Sequence, residues 1–237
     1  MQMLVAAIGA GVMFLAHTAP FPFLLEGIRQ GDSMWHAPID VLAPSVYLTY
    51  DDGPNPTATP QLLDVLKAEA VTATFFIIDA HLTPETAPIV RRMFDEGHAV
   101  GLHSNQRWLM LGAPEQVADA LRDAADRVEQ LSGSRPCALF RPHAGWRSAA
   151  MYGALDLLGY QLAGWTWGLW DWNWWRPRDA TALADRLARR ASDGDIIVMH
   201  DGHHLDPRAE RRYAVDATAS LIPALRARGL RMAHLPC

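Results

Sequence analysis

Two adjacent carboxylates, Asp51 and Asp52, close the apolar run Val46-Tyr47-Leu48-Thr49-Tyr50 and are followed at once by Gly53-Pro54. Neighbouring ionised carboxylates repel, so a fold that keeps both places a cation or guanidinium nearby and gives each a separate task. The bland alternative is a turn rich in Asp and Gly that only caps the next helix. Against it stand further polar residues at the ends of later apolar runs: His103, Arg141, Asp171 beyond a fifth run, and His200-Asp201. Taken singly, each has a structural use. Taken together at strand ends, these carboxylates, imidazoles and guanidinium form a site.

The elements that must position them alternate after residue 45. Strands are predicted at Val46–Tyr50, Thr72–Ile78, Ala99–His103, Ala138–Phe140, Gln161–Thr166, Ile196–Met199 and Leu230–His234. Between them fall helical patterns at 59–70, 83–96, 114–131, 149–158, 180–191 and 215–228, the first two opened by Thr59-Pro60 and Thr83-Pro84 as cap and first-turn proline. This rhythm predicts a parallel α/β sheet closed as a distorted (β/α) barrel of about seven strands. In such a barrel the strand C-termini share one mouth, so the polar set converges.

The 237 residues, half of them hydrophobic, suffice for one domain with a substantial core. A net charge of −5 and the lack of Lys/Arg runs argue against a nucleic-acid partner. Residues 1–25 form an apolar segment, uncharged from Leu4 to Leu25, and 26–45 read as an irregular lead-in to the domain at 46–237. The segment is expected to direct export or hold the chain at a membrane, although no Lys or Arg precedes it; a hydrophobic strap on the domain is the other reading. Cys137 and Cys237 either form a disulfide in an exported protein or remain buried thiols.

Leu48-Thr49-Tyr50-Asp51-Asp52-Gly53-Pro54 resembles the first motif of the NodB-type polysaccharide deacetylases, carbohydrate esterase family four. His103-Ser104 resembles the start of their second motif, Phe140-Arg141-Pro142-His143-Ala144-Gly145-Trp146 their third, Asp171-Trp172 their fourth and Val198-Met199-His200 their fifth. The resemblance implies a hydrolase that removes N-acetyl groups from an amino-sugar glycan. Asp51 would be the general base and His200 the general acid. Arg141 would hold Asp51, and Asp171 would orient His200. Asp52 and His103 would bind a divalent metal, typically zinc. A backbone N–H near Ala144 would face the oxyanion, and Trp172, Trp146 and Val198 would line the substrate pocket.

One position departs from the pattern. The second motif carries another histidine four residues after the first, and here that residue is Arg107, which cannot ligate a metal. Three readings follow. A neighbour (His143, Asn105 or His81) supplies the ligand; or Arg107 replaces the metal in a metal-independent amidohydrolase or deformylase; or the domain binds glycan without turnover. Retention of Asp51, Arg141, Asp171 and His200 favours an enzyme.

Six of the nine tryptophans lie between 165 and 175, which suits a wall for the apolar faces of sugar rings, with Trp165 and Trp167 also spaced for strand packing. His203-His204 read as a polar loop at the barrel mouth.

Overall fold

The computed structural model describes residue 8 and residues 33–39, 42–104, 106, 111–145, 147–168 and 179–237. Among the described residues nine strands form one parallel sheet: β1 (Ser33–Met34), β2 (Ser45–Asp51), β3 (Thr74–Ile78), β4 (Ala99–His103), β5 (Leu139–Arg141), β6 (Gln161–Ala163), β7 (Trp167–Gly168), β8 (Ile196–His200) and β9 (Arg231–Ala233). Their order is β1-β6-β5-β4-β3-β2-β8-β7, with β9 also pairing β2. The described α-helices that alternate with these strands are α1 (Ala58–Ala68), α2 (Ala87–Asp95), α3 (Pro114–Ser132), α4 (Ala149–Leu158), α5 (Ala180–Arg190) and α6 (Arg212–Arg226). This is the expected distorted (β/α) barrel.

The period of two along each strand divides the apolar residues between two clusters. Val46, Leu48, Tyr50, Phe75, Ile77, Val100, Leu102, Phe140 and Met199 face the helices. Phe76, Leu139, Ala163, Trp165, Ile196, Val198 and the C-terminal Leu235 fill the inside of the barrel. The inner face of β2 therefore reads Tyr47, Thr49, Asp51; that of β5 reads Leu139, Arg141; that of β8 reads Ile196, Val198, His200. Each strand ends on its polar residue. Gly101 on β4 is required because a Cβ there would lie 2.8 Å from the Phe76 ring and 3.0 Å from the Leu139 carbonyl.

The lead-in is not irregular throughout. Ser33–Met34 pairs with β6, and the chain then crosses to the start of β8, where His36 bridges Asp195 and the Ala37 N–H donates to the Gly194 carbonyl at 2.9 Å. This segment draws the two ends of the sheet together. The start of α1 also differs from expectation. The Asn55 side chain accepts from the Thr57 and Ala58 N–H groups, and Thr59 spends its hydroxyl elsewhere. At the opposite end of the barrel, a disulfide joins Cys137 to Cys237 across a separation of 100 residues, resolving the two alternatives for the cysteines. No helix among the described residues is long and apolar enough to cross a membrane, and residues 9–25 lie outside them.

His98, just ahead of β4, supplies a pH signature distant from the strand C-termini. Its Nδ1 accepts from the Ala73 N–H at 3.1 Å, its ring stands edge-on to Phe75, and burial pushes its pKa down to about 4. Between about pH 4 and 6.5 the unfolded chain binds this proton and the folded chain does not, so stability falls as pH drops through that window. The full swing is roughly 3 kcal/mol. His98→Asn keeps an acceptor for Ala73 but cannot titrate. Urea unfolding at pH 7 and pH 5 is expected to show a smaller acid-induced loss in the variant than in the wild type.

Candidate active site

Arg141 is the hub of the barrel mouth. Its side chain is wholly buried, with the guanidinium lying 4.1 Å over the Phe76 ring. Nη1 donates to Asp51 Oδ1 at 2.7 Å and to Thr49 Oγ1 at 2.8 Å; Nη2 donates to the Gly164 carbonyl at 2.7 Å and Nε to that of Ala163 at 3.3 Å. The Thr49 hydroxyl in turn donates to the Ile197 carbonyl at 2.9 Å. One guanidinium thus ties β2, β5, the end of β6 and, through Thr49, β8. Asp51 is clamped by the strongest class of protein hydrogen bond. His200 is the β8 residue directly opposite Asp51 in the β2–β8 register. The two residues expected to move protons are therefore cross-strand neighbours on the inner face.

Asp52 leaves the strand in the left-handed region, with φ 72°, which an aspartate tolerates better than most residues. The turn is tight on every side. The Ile78 N–H donates to the Gly53 carbonyl, the His81 ring donates to the Asp52 carbonyl, and a Cβ on Gly202 would fall 2.0 Å from that carbonyl oxygen. The bond to the carbonyl is the role the structure gives His81, one of the candidate ligands. His103 donates from Nδ1 to the Arg141 carbonyl at 2.6 Å and places Nε2 3.3 Å from Asp52 Oδ1. Burial would push the His103 imidazole down in pKa, but the Asp51 and Asp52 carboxylates overcome it and raise it. Burial would likewise raise Asp52; the charge of the His103 ring beside it, with those of His200 and His143 behind, holds its carboxyl far below the usual range. The spot attracts positive charge.

Asp52, His103 and His143 each offer one ligand atom, and the three atoms lie within 4.8 Å of one another. The chemistry of the set fits a divalent metal. A carbonyl can only accept, so the bond to Arg141 fixes the proton of neutral His103 on Nδ1 and turns its Nε2 lone pair toward Asp52. Asp52 Oδ1 is buried and has no hydrogen-bond partner despite its closeness to Nε2. An orphaned carboxylate oxygen between imidazoles is what a cation would satisfy.

Asp171, Trp172, Trp146, Arg107 and Asn105 lie outside the described residues. Ala144 is at the mouth, in a short 3-10 turn after β5 and with φ 52°. Val198 sits one inner-face position below His200, in the apolar interior of the barrel. Two tryptophans of the expected wall are structural. Trp165 is an inner core residue set edge-on to Trp35, and Trp167 donates from its indole N–H to Asp195 at 2.9 Å.

Asp201 stood out in the sequence only as the neighbour of His200, with no role of its own. It is buried beneath the Asp51–Asp52 turn and accepts a short hydrogen bond from Thr59, whose oxygen accepts from the Asn55 N–H. Burial, with the charges of Asp52 and Asp51 adding to it, pushes its pKa up to about 7. An aspartate directly after a strand-end histidine was the available signal.

Comparison with known proteins agrees with this geometry. The polysaccharide deacetylase family profile matches residues 40–163. The chain belongs to the polysaccharide deacetylase family. It is 37% identical over 206 residues to a chitooligosaccharide deacetylase of Sinorhizobium fredii, covering 82% of this chain and 91% of the relative. A crystal structure of a peptidoglycan N-acetylglucosamine deacetylase superposes with a TM-score of 0.73 at 25% identity, covering 89% of this chain and 94% of that one. A family 4 acetyl xylan esterase of Clostridium thermocellum, crystallised with a cobalt ion, gives a TM-score of 0.68 at 29% identity, covering 80% and 87%. This deacetylase is accordingly a hydrolase of carbon–nitrogen bonds other than peptide bonds, removing N-acetyl groups from carbohydrate, with a site that fits a divalent metal.

Proposed function

We propose that this deacetylase acts on N-acetylglucosamine-containing glycans of the chitooligosaccharide or peptidoglycan type, outside the cytoplasm. The names of its relatives support the substrate class. The Cys137–Cys237 disulfide supports an oxidising compartment, as does the uncharged stretch of residues 4–25, a candidate for export or membrane attachment. The observation that carries the chemistry is the Arg141-clamped Asp51 directly across from His200, beside Asp52 and His103.

Asp51, anchored through Oδ1, takes a proton from the water that attacks the acetyl carbon. Arg141 fixes its direction of approach, so no reorganisation is needed as the proton moves. The carbonyl carbon gains the water oxygen and the C–N bond breaks. His200, on the neighbouring strand, gives a proton to the departing amine nitrogen. Asp171 stands in the motif position of a residue that orients His200, and Trp146, Trp172 and Val198 in those that shape the acetyl pocket. An Ala144 backbone N–H at the mouth would support the developing oxyanion. Zinc suits the nitrogen-and-oxygen donor set; bound there, it polarises the acyl carbonyl and lowers the pKa of a water.

The test is acetate release from N-acetylated chitooligosaccharides and peptidoglycan fragments, with N-formylated glycan and acetylated xylan alongside. Acetate from the amino-sugar substrates is expected, falling at least tenfold on chelation and returning with added zinc. Turnover confined to the formyl or xylan substrates would overturn the assignment, and chelator-resistant turnover would overturn the metal.

A further inference from the structure

We propose that in this chain the third metal ligand has moved from the second motif to the third, so that the metal is held by Asp52, His103 and His143. The proposal rests on the deacetylase reading for its context and on three observations for its content. First, the position four residues after His103 is Arg107, whose guanidinium stays protonated and offers no lone pair. Second, a ligand atom of His143 lies within 4.8 Å of those of Asp52 and His103, while the Asp52–His103 separation is already 3.3 Å. Donors bound at about 2.1 Å to one ion sit roughly 3 to 4 Å apart, so the set closes with small side-chain rotations. Third, Asp52 Oδ1 is a buried acceptor without a hydrogen bond, and the proton of neutral His103 is committed to the Arg141 carbonyl.

The backbone explains how His143 arrives. His103 and Arg141 are register partners on β4 and β5, so the residue two beyond Arg141 emerges beside the end of β4. The chain then turns sharply, with Ala144 at φ 52° and Gly145 at φ 69°, and the Gly145 N–H donates to the Pro142 carbonyl at 3.0 Å. A non-glycine residue in the left-handed region persists only where its surroundings hold it there. The turn leaves the His143 ring 6.0 Å from that of His103 and 4.5 Å from that of His204. Three strand ends, β2, β4 and β5, thus supply one ligand each. Two nitrogens and one carboxylate select a borderline ion such as zinc, cobalt or nickel over magnesium or calcium.

The test reads metal binding rather than turnover. Metal-free full-length protein is titrated with cobalt(II), followed by visible absorption and calorimetry, with near-UV circular dichroism confirming the fold of each variant. Wild type is expected to bind one equivalent and Arg107→Ala the same within threefold. His143→Ala is expected to bind at least ~100-fold more weakly, since even loss of a residue that merely orients a ligand costs 10–100-fold. Adding Arg107→His to His143→Ala restores the ordinary motif and should recover affinity to within about tenfold of wild type. The proposal is overturned if His143→Ala binds as wild type does, if wild type binds no cobalt, or if the double variant shows no recovery. Acetate release by wild type is scored separately: a protein that loads metal through His143 yet frees no acetate sinks the deacetylase reading and leaves the ligand assignment standing.

Discussion

Asp51→Asn is expected to lower kcat for deacetylation by about 10³-fold, within the 10²–10⁴ range of a lost general base, while the protein folds and loads metal. The amide is isosteric, and its oxygen still accepts from Arg141 Nη1. Arg141 keeps Thr49 and the carbonyls of Ala163 and Gly164 as acceptors and Phe76 as a platform, so the hub survives. What an amide cannot do is take the proton from water. Steady-state kinetics at matched metal content, with metal analysis of both proteins, makes the comparison clean. A variant that retains a tenth or more of wild-type kcat would remove Asp51 from the role of base.

The second large effect falls on stability. Arg141→Met fills much of the same volume but leaves the Asp51 carboxylate buried without its partner and strips the Ala163 and Gly164 carbonyls of a donor. Breaking a buried pair in this way costs roughly 3–5 kcal/mol, to be measured by urea unfolding. Arg141→Lys should recover only a minor part, because one ammonium cannot reach four acceptors spread over β2 and the end of β6. Asp51→Asn/Arg141→Met removes the stranded charge, so the double variant should be more stable than Arg141→Met alone. If Arg141→Met unfolds within about 1 kcal/mol of wild type, the guanidinium is not the organising centre of the mouth.

The strand ends were legible because two simple rules coincide there. Alternation set the inner face of each strand, and Asp51, His103, Arg141 and His200 each close a β-branched or apolar run. Parallel pairing then brought them together without further information. Ser33–Met34 was not legible: two residues cannot show a period, and their strand exists only because β6 offers an edge. The start of α1 was misplaced because Thr59-Pro60 has the local form of a cap, whereas the Thr59 hydroxyl is taken by Asp201, 142 residues away. The pairing of Cys137 with Cys237 and the nearness of His143 to Asp52 and His103 likewise come from the closed barrel. All the candidate side chains could be named, but only the fold brings His143 beside Asp52 and turns the His81 ring to the Asp52 backbone. Trp165 and Trp167 show the same limit in reverse, since an aromatic run does not state which rings face inward.

Hydrolysis in water enriched in oxygen-18 tests the account most directly. With metal-loaded wild type and an N-acetylated chitooligosaccharide, each acetate released should carry one oxygen from solvent and be matched by one new free amine on the glycan. Asp51→Asn and His200→Ala, equally loaded, should each release at least about a hundredfold less. Acetate without a matching amine, or none from any N-acetylated glycan at full metal occupancy, would contradict a mouth built around Asp51, Arg141 and His200 for amide hydrolysis.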